Sequence, residues 1–149
     1  MTQLDKIDRK IIELLTQDAR MSMAEIARKV HLSRVAVRER VNRLVDKGVI
    51  QEFTTVVDSA ALGYSIHAFF EIEVIPTQLE QVAKELAKRE QVTVVYQMTG
   101  STTLHVHAFL KDTRDLATFL KEHIYSIPGV VNVSTNLLLQ GFKSVLSFR

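Results

Sequence analysis

Ile7, Ile11, Leu14 and Leu15 recur at the i, i+4, i+7, i+8 spacing that lines one stripe of an α-helix, and they predict a first helix over residues 5–17. Asp5 and Asp8 fall in its first turn, where carboxylates suit the positive end of the helix dipole. A polar break at Asp18-Ala19-Arg20 precedes a short second helix, with Ser22 as N-cap, Glu25 as its capping-box partner, and Ile26, Ala27 and Val30 turned inward. A third helix opens at Ser33, runs to Lys47 and stops at Gly48, the residue type that best takes the left-handed position after a helix end. Three short helices with a turn of about three residues between the second and third outline a helix-turn-helix.

Residues 49–50 and 53–57 read as a short strand, and residues 58–63 as a connection to a different kind of structure, which sets a domain boundary near residue 60. The expected domains are therefore residues 1–60 and 61–149. From Ile66 the hydrophobic period changes to two. Ile66, Ala68, Phe70, Ile72 and Val74 share one face of a strand bounded by Pro76, and Leu79, Val82, Ala83, Leu86 and Ala87 form a helix stripe. Val92, Val94, Tyr96 and Met98 alternate, a turn follows at Thr99-Gly100-Ser101-Thr102, and Leu104, Val106, Ala108 and Leu110 alternate again. A helix from Asp112 or Thr113 turns Leu116, Phe119, Leu120 and Ile124 inward, and Pro128-Gly129 leads to a last strand over residues 131–139. The order βαββαβ is that of a ferredoxin-like domain, so the fold class is α+β. With both helices on one side, Phe69 beside His67, Glu71 and Glu73, and Phe109 beside His105 and His107, would lie on an open sheet face. Such a face is expected to meet another copy of the chain.

Composition narrows the chemistry. A hydrophobic content of 46% with 24% charge is that of a packed soluble protein. No apolar run approaches the roughly 20 residues of a membrane span, and the N-terminus lacks the apolar core of a signal peptide, so the expected location is the cytoplasm. The chain has no cysteine, which excludes disulfides, thiolate metal sites and cysteine nucleophiles. Net charge is only +2, but it is unevenly held: residues 1–50 carry 11 Lys/Arg against 7 Asp/Glu, the remainder 8 against 10. The helical third is the part drawn to phosphate, and double-stranded DNA is the expected partner.

Placed at 100° per residue, the third helix turns Val37, Val41, Leu44 and Val45 inward and Val35, Ala36, Glu39, Arg40 and Arg43 outward. Its N-terminal residues Ser33, Arg34, Val35, Ala36 and Glu39 would lie nearest the base edges of a major groove. Arg34 can address guanine, Glu39 can accept from cytosine, and Val35 and Ala36 can touch a thymine methyl. Arg38, Arg40 and Arg43 are expected on phosphates, with Ser22 and Met23 adding contacts from the start of the second helix.

The same sequence admits rival functions. His67, His105 and His107 on neighbouring strands could bind zinc in an enzyme, although histidines at a subunit interface are the plainer reading. The chain has no phosphate-cradling glycine loop, no GxSxG and no HExxH, and its carboxylates form no recognisable pair. No catalytic residue, metal or cofactor is therefore expected. An architectural DNA-compacting protein without an effector is the alternative to a sequence-specific regulator, and the modest charge argues against it.

Across almost its whole length the chain resembles the leucine-responsive regulator/AsnC family of transcription regulators. The resemblance is carried by Leu4-Asp5, Asp8 and Ile11; by Glu25-Ile26-Ala27; and by Leu32-Ser33, Val37, Arg40, Val41, Leu44 and Gly48-Val49-Ile50. Leu62-Gly63, Gly100 and Ile127-Pro128-Gly129-Val130 extend it through the second half. It implies a winged or plain helix-turn-helix joined to a domain that dimerises through its sheet, with further assembly of dimers, and an amino-acid effector near the central hairpin at Gly100, Ser101, Thr102 and Thr103. Two positions depart from the family pattern. His31 stands where the helix-turn-helix turn commonly has glycine, and Thr103 stands where a carboxylate would pair with a ligand's ammonium.

Overall fold

Side-chain oxygens start each helix of the N-terminal third. In the computed structural model, which describes residues 4–99 and 102–142, the Asp5 carboxylate caps α1 (Lys6–Gln17) by accepting from the Asp8 N–H at 2.7 Å. The Asp8 carboxylate accepts in turn from the Asp5 N–H at 3.4 Å, which completes a capping box. Ser22 caps α2 (Met23–Val30) by accepting from the Glu25 N–H, but the return bond to Glu25 expected from sequence is not formed among the described residues. Ser33 caps α3 (Arg34–Asp46) by accepting from the Ala36 N–H. Between α2 and α3, His31 adopts the left-handed conformation (φ 54, ψ 44), the one described non-glycine residue with positive φ.

The described residues divide into two compact units between Val56 and Val57. Ile11, Leu14, Leu15, Ile26, Ala27, Val37, Val41 and Leu44 fill the core of the first. Each Val, Leu or Ile among them contributes roughly 1.5–3 kcal/mol by leaving water. Val45, expected inward, is 41% exposed, because the buried stripe of α3 is set by the i, i+4, i+7 series Val37, Val41, Leu44 and Val45 falls beyond its edge. The short strand expected after α3 is also corrected. Val49 and Ile50 pack against the helical core, while residues 51–58 form no strand, and Phe53, Val56 and Val57 are exposed. A strand needs a hydrogen-bonded neighbour, and this chain offers that segment none among its described residues.

In the second unit, β1 (Ile66–Val74), α4 (Leu79–Ala87), β2 (Val92–Gln97), β3 (Thr103–Leu110), α5 (Thr113–Phe119) and β4 (Val130–Leu137) follow in the predicted βαββαβ order. The sheet is antiparallel throughout, in the order β2-β3-β1-β4. Ala68, Phe70, Ile72 and Val74 of β1 and Leu104, Val106, Ala108 and Leu110 of β3 pack against Val82 and Leu86 of α4 and against Phe119 and Ile124, so both helices cover one face. A π-helical turn at Leu120–Ile124 extends α5, with the Tyr125 N–H donating to the Leu120 carbonyl. In β2 the expected alternation breaks. Val92 pairs with Ala108 and Val94 with His107, so the register slips between them. That irregularity puts Val92 and Val95 on the core and moves Val94 and Tyr96 to the open face.

Candidate nucleic-acid interface

The outward side of α3 is built from Arg34, Val35, Arg38 and Glu39, all exposed, with Val35 at 66% and Ala36 half-buried beside them. Among the described residues, Arg34, Arg38 and Glu39 have no ion-pair partner. Ser22 and Ser33 are exposed N-caps that orient the starts of α2 and α3, and Met23 is half-buried at the edge of the helical core. Sequence reasoning missed Asn42. It is exposed and continues the Val35–Arg38–Glu39 side one turn on, and a complete angular placement of α3 would have found it.

Arg40 is half-buried rather than outward, and Arg43, though exposed as expected, is engaged with α1. Arg40 Nη1 donates to Asp5 Oδ2 and to Asp8 Oδ1, both at 2.7 Å, and Arg43 Nη2 donates to Asp8 Oδ1 at 3.0 Å and Oδ2 at 3.3 Å. Asp8 is the one buried charged residue described, at 4% exposure. Two carboxylates three residues apart, at the N-cap and in the first turn of α1, thus face two arginines three residues apart on α3, a matched spacing visible in the sequence. The bond from the Asp8 N–H, and then that from Arg40, holds the Asp5 carboxyl below its ordinary value. Hydrogen bonds to Asp5, then Asp8, raise the Arg40 guanidinium. Both effects favour the charged forms that tie α1 to α3.

On the second unit's open face, the β1–β3 register sets His67 opposite Phe109, Phe69 opposite His107, and Glu71 opposite His105. The three histidines do come together, but in series. His105 Nε2 lies 2.7 Å from His107 Nε2, and His107 Nδ1 lies 3.2 Å from His67 Nε2. The two nitrogens of His107 therefore face different neighbours, and no group of three or more ligating side chains among the described residues could hold a metal ion. Burial pushes His67 and His107 below the ordinary imidazole value; for His107 the charges of His105 and His67 add to this. Of the expected effector residues, Gly100 and Ser101 lie outside the described residues. The Thr102 carbonyl accepts from the Val74 N–H, and Thr103 opens β3 opposite Glu73.

A capped helix-turn-helix followed by a separate ferredoxin-like domain is the build of a DNA-binding regulator with its own ligand or assembly module. Residues 4–51 match a family model described as winged helix-turn-helix DNA-binding, and residues 67–146 one described as the Lrp/AsnC ligand binding domain. The chain is 38% identical over 140 residues to the HTH-type transcriptional regulator FL11 of Pyrococcus furiosus, covering 94% of this chain and 92% of that one. It is 35% identical to the HTH-type transcriptional regulator Ptr1 of Methanocaldococcus jannaschii, covering 94% and 95%. Its fold is shared with the transcriptional regulator NMB0573 of Neisseria meningitidis, solved as a complex with L-Met, at TM-score 0.89 and 23% identity over 99% of this chain and 97% of that one. The chain belongs to the Lrp/AsnC family and is a DNA-binding transcription regulator. No helix among the described residues is long and apolar enough to cross a membrane.

Proposed function

We propose that α3 enters the major groove with Ser33, Arg34, Val35, Ala36, Arg38 and Glu39 toward the DNA, Asn42 behind them, and Ser22 and Met23 at an adjoining phosphate. The orientation of α3 carries this reading: its exposed side holds unpaired polar groups suited to base edges, and its opposite side is fixed in the core. Arg40 and Arg43 serve by holding the helix to α1 rather than by gripping phosphate. The functional boundary lies near residue 60, and the protein acts in the cytoplasm.

Residues 61–149 pair two copies through the open sheet face. Phe69 and Phe109 are half-buried there beside Val94, while Glu71, Glu73 and the three histidines supply both acceptors and donors, as a two-fold contact between identical faces requires. Two heads then meet two half-sites. An amino acid is the effector favoured by the ligand-binding family model and by the L-Met complex of NMB0573. Glu73, in register with Thr103, is the carboxylate nearest in pairing to the hairpin position that lacks one, and is suited to an ammonium group.

The test is binding to the protein's own upstream DNA and to a scrambled duplex at fixed salt, with and without a panel of amino acids. Arg34→Ala and Glu39→Ala are expected to change preference at particular base pairs by roughly 1–3 kcal/mol, and Arg38→Ala to weaken all sequences alike. Unchanged binding in all three sinks the assignment of α3. An amino acid that shifts binding in the wild type but not in Glu73→Gln supports the effector reading; indifference to every amino acid removes it.

A further inference from the structure

His67, His105 and His107 form a chain of imidazoles that neither DNA reading nor helix packing employs. A neutral imidazole offers one N–H donor and one bare nitrogen. Three in series satisfy both contacts, at 2.7 and 3.2 Å, when each ring donates in the same sense along the chain. One further proton fits on the outer nitrogen of an end ring without disturbing either contact. A second sets two N–H groups face to face at one of them. It also places two cations on rings whose centroids, along the chain, are only 5.3 Å (His67–His107) and 4.8 Å (His105–His107) apart.

The surroundings give extra protons little relief. Phe69 lies 5.2 Å from His105 and 6.0 Å from His107 between ring centroids, and Phe109 lies 4.2 Å from His67. From β1, Glu71 stands opposite His105, with Glu73 two residues on; from β2, Tyr96 stands opposite His105 and Val94 opposite His107. From β4, Ser134 and Asn136 extend the rows of Glu71 and Phe69. None of the four strands contains Lys or Arg, and Lys111 follows just beyond the end of β3. Glu71 and Glu73 can offset two positive charges per copy, not three, and only Glu71 stands opposite a ring of the chain.

We propose that this imidazole chain makes the pairing of two copies proton-sensitive, so that the assembled regulator loosens as pH falls through the imidazole range. The inference rests on the sheet-face dimer proposed above. A two-fold contact encloses two such chains, and six imidazoles removed from water resist charging more strongly than three half-exposed ones. The direction already holds in the single chain, where burial lowers His67 and His107 from the ordinary 6.5. Groups whose pKa is lowered by assembly leave it unopposed above the pKa they have in the free chain, which for His67 and His107 already lies below 6.5, and oppose it as pH falls through that value.

The experiment is sedimentation of the full chain across a dilution series, at constant ionic strength in chelator-containing buffer, from about pH 8 to about pH 5.5. The wild type is compared with the His67→Gln, His105→Gln, His107→Gln triple variant and with His105→Gln alone. Net uptake of one proton on dissociation changes Kd about tenfold per pH unit. The wild-type dimer Kd is therefore expected to rise about tenfold or more over the range, the triple variant less than about threefold, and His105→Gln in between. His105→Gln alone, at one end of the chain, keeps the test decisive if the triple variant does not fold. A wild-type dimer whose Kd ignores pH overturns this inference while leaving the dimer intact, as does a histidine variant as steep as the wild type. A wild type that stays monomeric at every pH overturns the dimer reading itself. A control without chelator at pH 8 separates the two: a dimer seen only there overturns the inference rather than the dimer reading, by showing that the imidazoles hold a metal.

Discussion

Replacing Asp8 with alanine removes the carboxylate that joins α1 to α3. Its side chain is 6% exposed and takes contacts of 2.7, 3.0 and 3.3 Å from two arginines. Removing one partner of a fully buried ion pair costs about 3–5 kcal/mol, chiefly because the other charge is stranded away from water. Here the stranded cations are less enclosed: the Arg40 side chain is 23% exposed and keeps Asp5, and that of Arg43 is 47% exposed. The cost is therefore placed at about 2–3 kcal/mol, well above the ~0.5 kcal/mol expected of the surface pairs Lys10–Glu13, Lys84–Glu80 and Lys88–Glu85. Urea unfolding, with hydrogen exchange of α1 and α3 amides to isolate the first unit, measures it, and a cycle with Arg40→Ala extracts the coupling. Acid gives an independent arm. Asp5 titrates below its ordinary value of 3.8, so its contribution is present above that value and is lost as pH falls through the lowered one. An Asp8→Ala protein within about 0.5 kcal/mol of wild type, or a cycle with no coupling, refutes the clamp.

Two backbone positions give further predictions. His31→Gly removes a left-handed strain of about 1–2 kcal/mol, offset in part by glycine's greater freedom when unfolded, so a net gain of about 0.5–1 kcal/mol is expected in thermal unfolding of the first unit. His31→Val is expected to lose at least about 1 kcal/mol, and a neutral result for both contradicts the left-handed turn. Gly129→Ala combines φ +98 with a new Cβ that collides with Gln78 Oε1 and lies 2.9 Å from Gln78 Cβ, for a loss of about 2–4 kcal/mol by chemical denaturation. Adding Gln78→Ala is expected to recover only part of it, because the conformation and the Cβ contact remain; full recovery would show that the backbone there is unstrained.

The parts of the fold governed by local periodicity and capping were legible. The α1, α2 and α3 stripes, the N-cap Ser22, the start of α3 at Ser33, and the order βαββαβ each depend on residues within a few positions of one another. What escaped depends on partners far along the chain. Arg40 and Arg43 look like solvent-facing cations until Asp5 and Asp8, 32 to 35 residues away, are brought against them. Val94 looks like a core residue until its pairing with His107 shows the slip that turns it over. Residues 53–57 have the composition of a strand, but composition supplies no neighbour. The histidine cluster was visible as a set of strand neighbours, yet its serial arrangement, on which the resistance to extra protons rests, needed the ring positions.

Tying Arg40 and Arg43 to α1 changes how much phosphate one head can hold. Of the basic residues on α2, α3 and the C-cap of α3, Arg28, Lys29, Arg34, Arg38 and Lys47 remain exposed and outside those ion pairs. If every one of them met a phosphate, the logarithm of affinity would fall with the logarithm of salt at a slope of at most about −4.5 per head, and about −9 for two heads acting together. A single head with so few contacts is expected to bind weakly at physiological salt, and in the dimer proposed above a second head would add its contacts at high effective concentration. The measurable consequence is a salt slope steeper than about −4.5 for the full chain, falling below that limit for a fragment ending near residue 60 that cannot pair. A fragment with the full-chain slope would show that one head holds all the phosphates, either by drawing on Lys6, Arg9, Lys10 or Arg20 or by freeing Arg40 and Arg43 from Asp5 and Asp8.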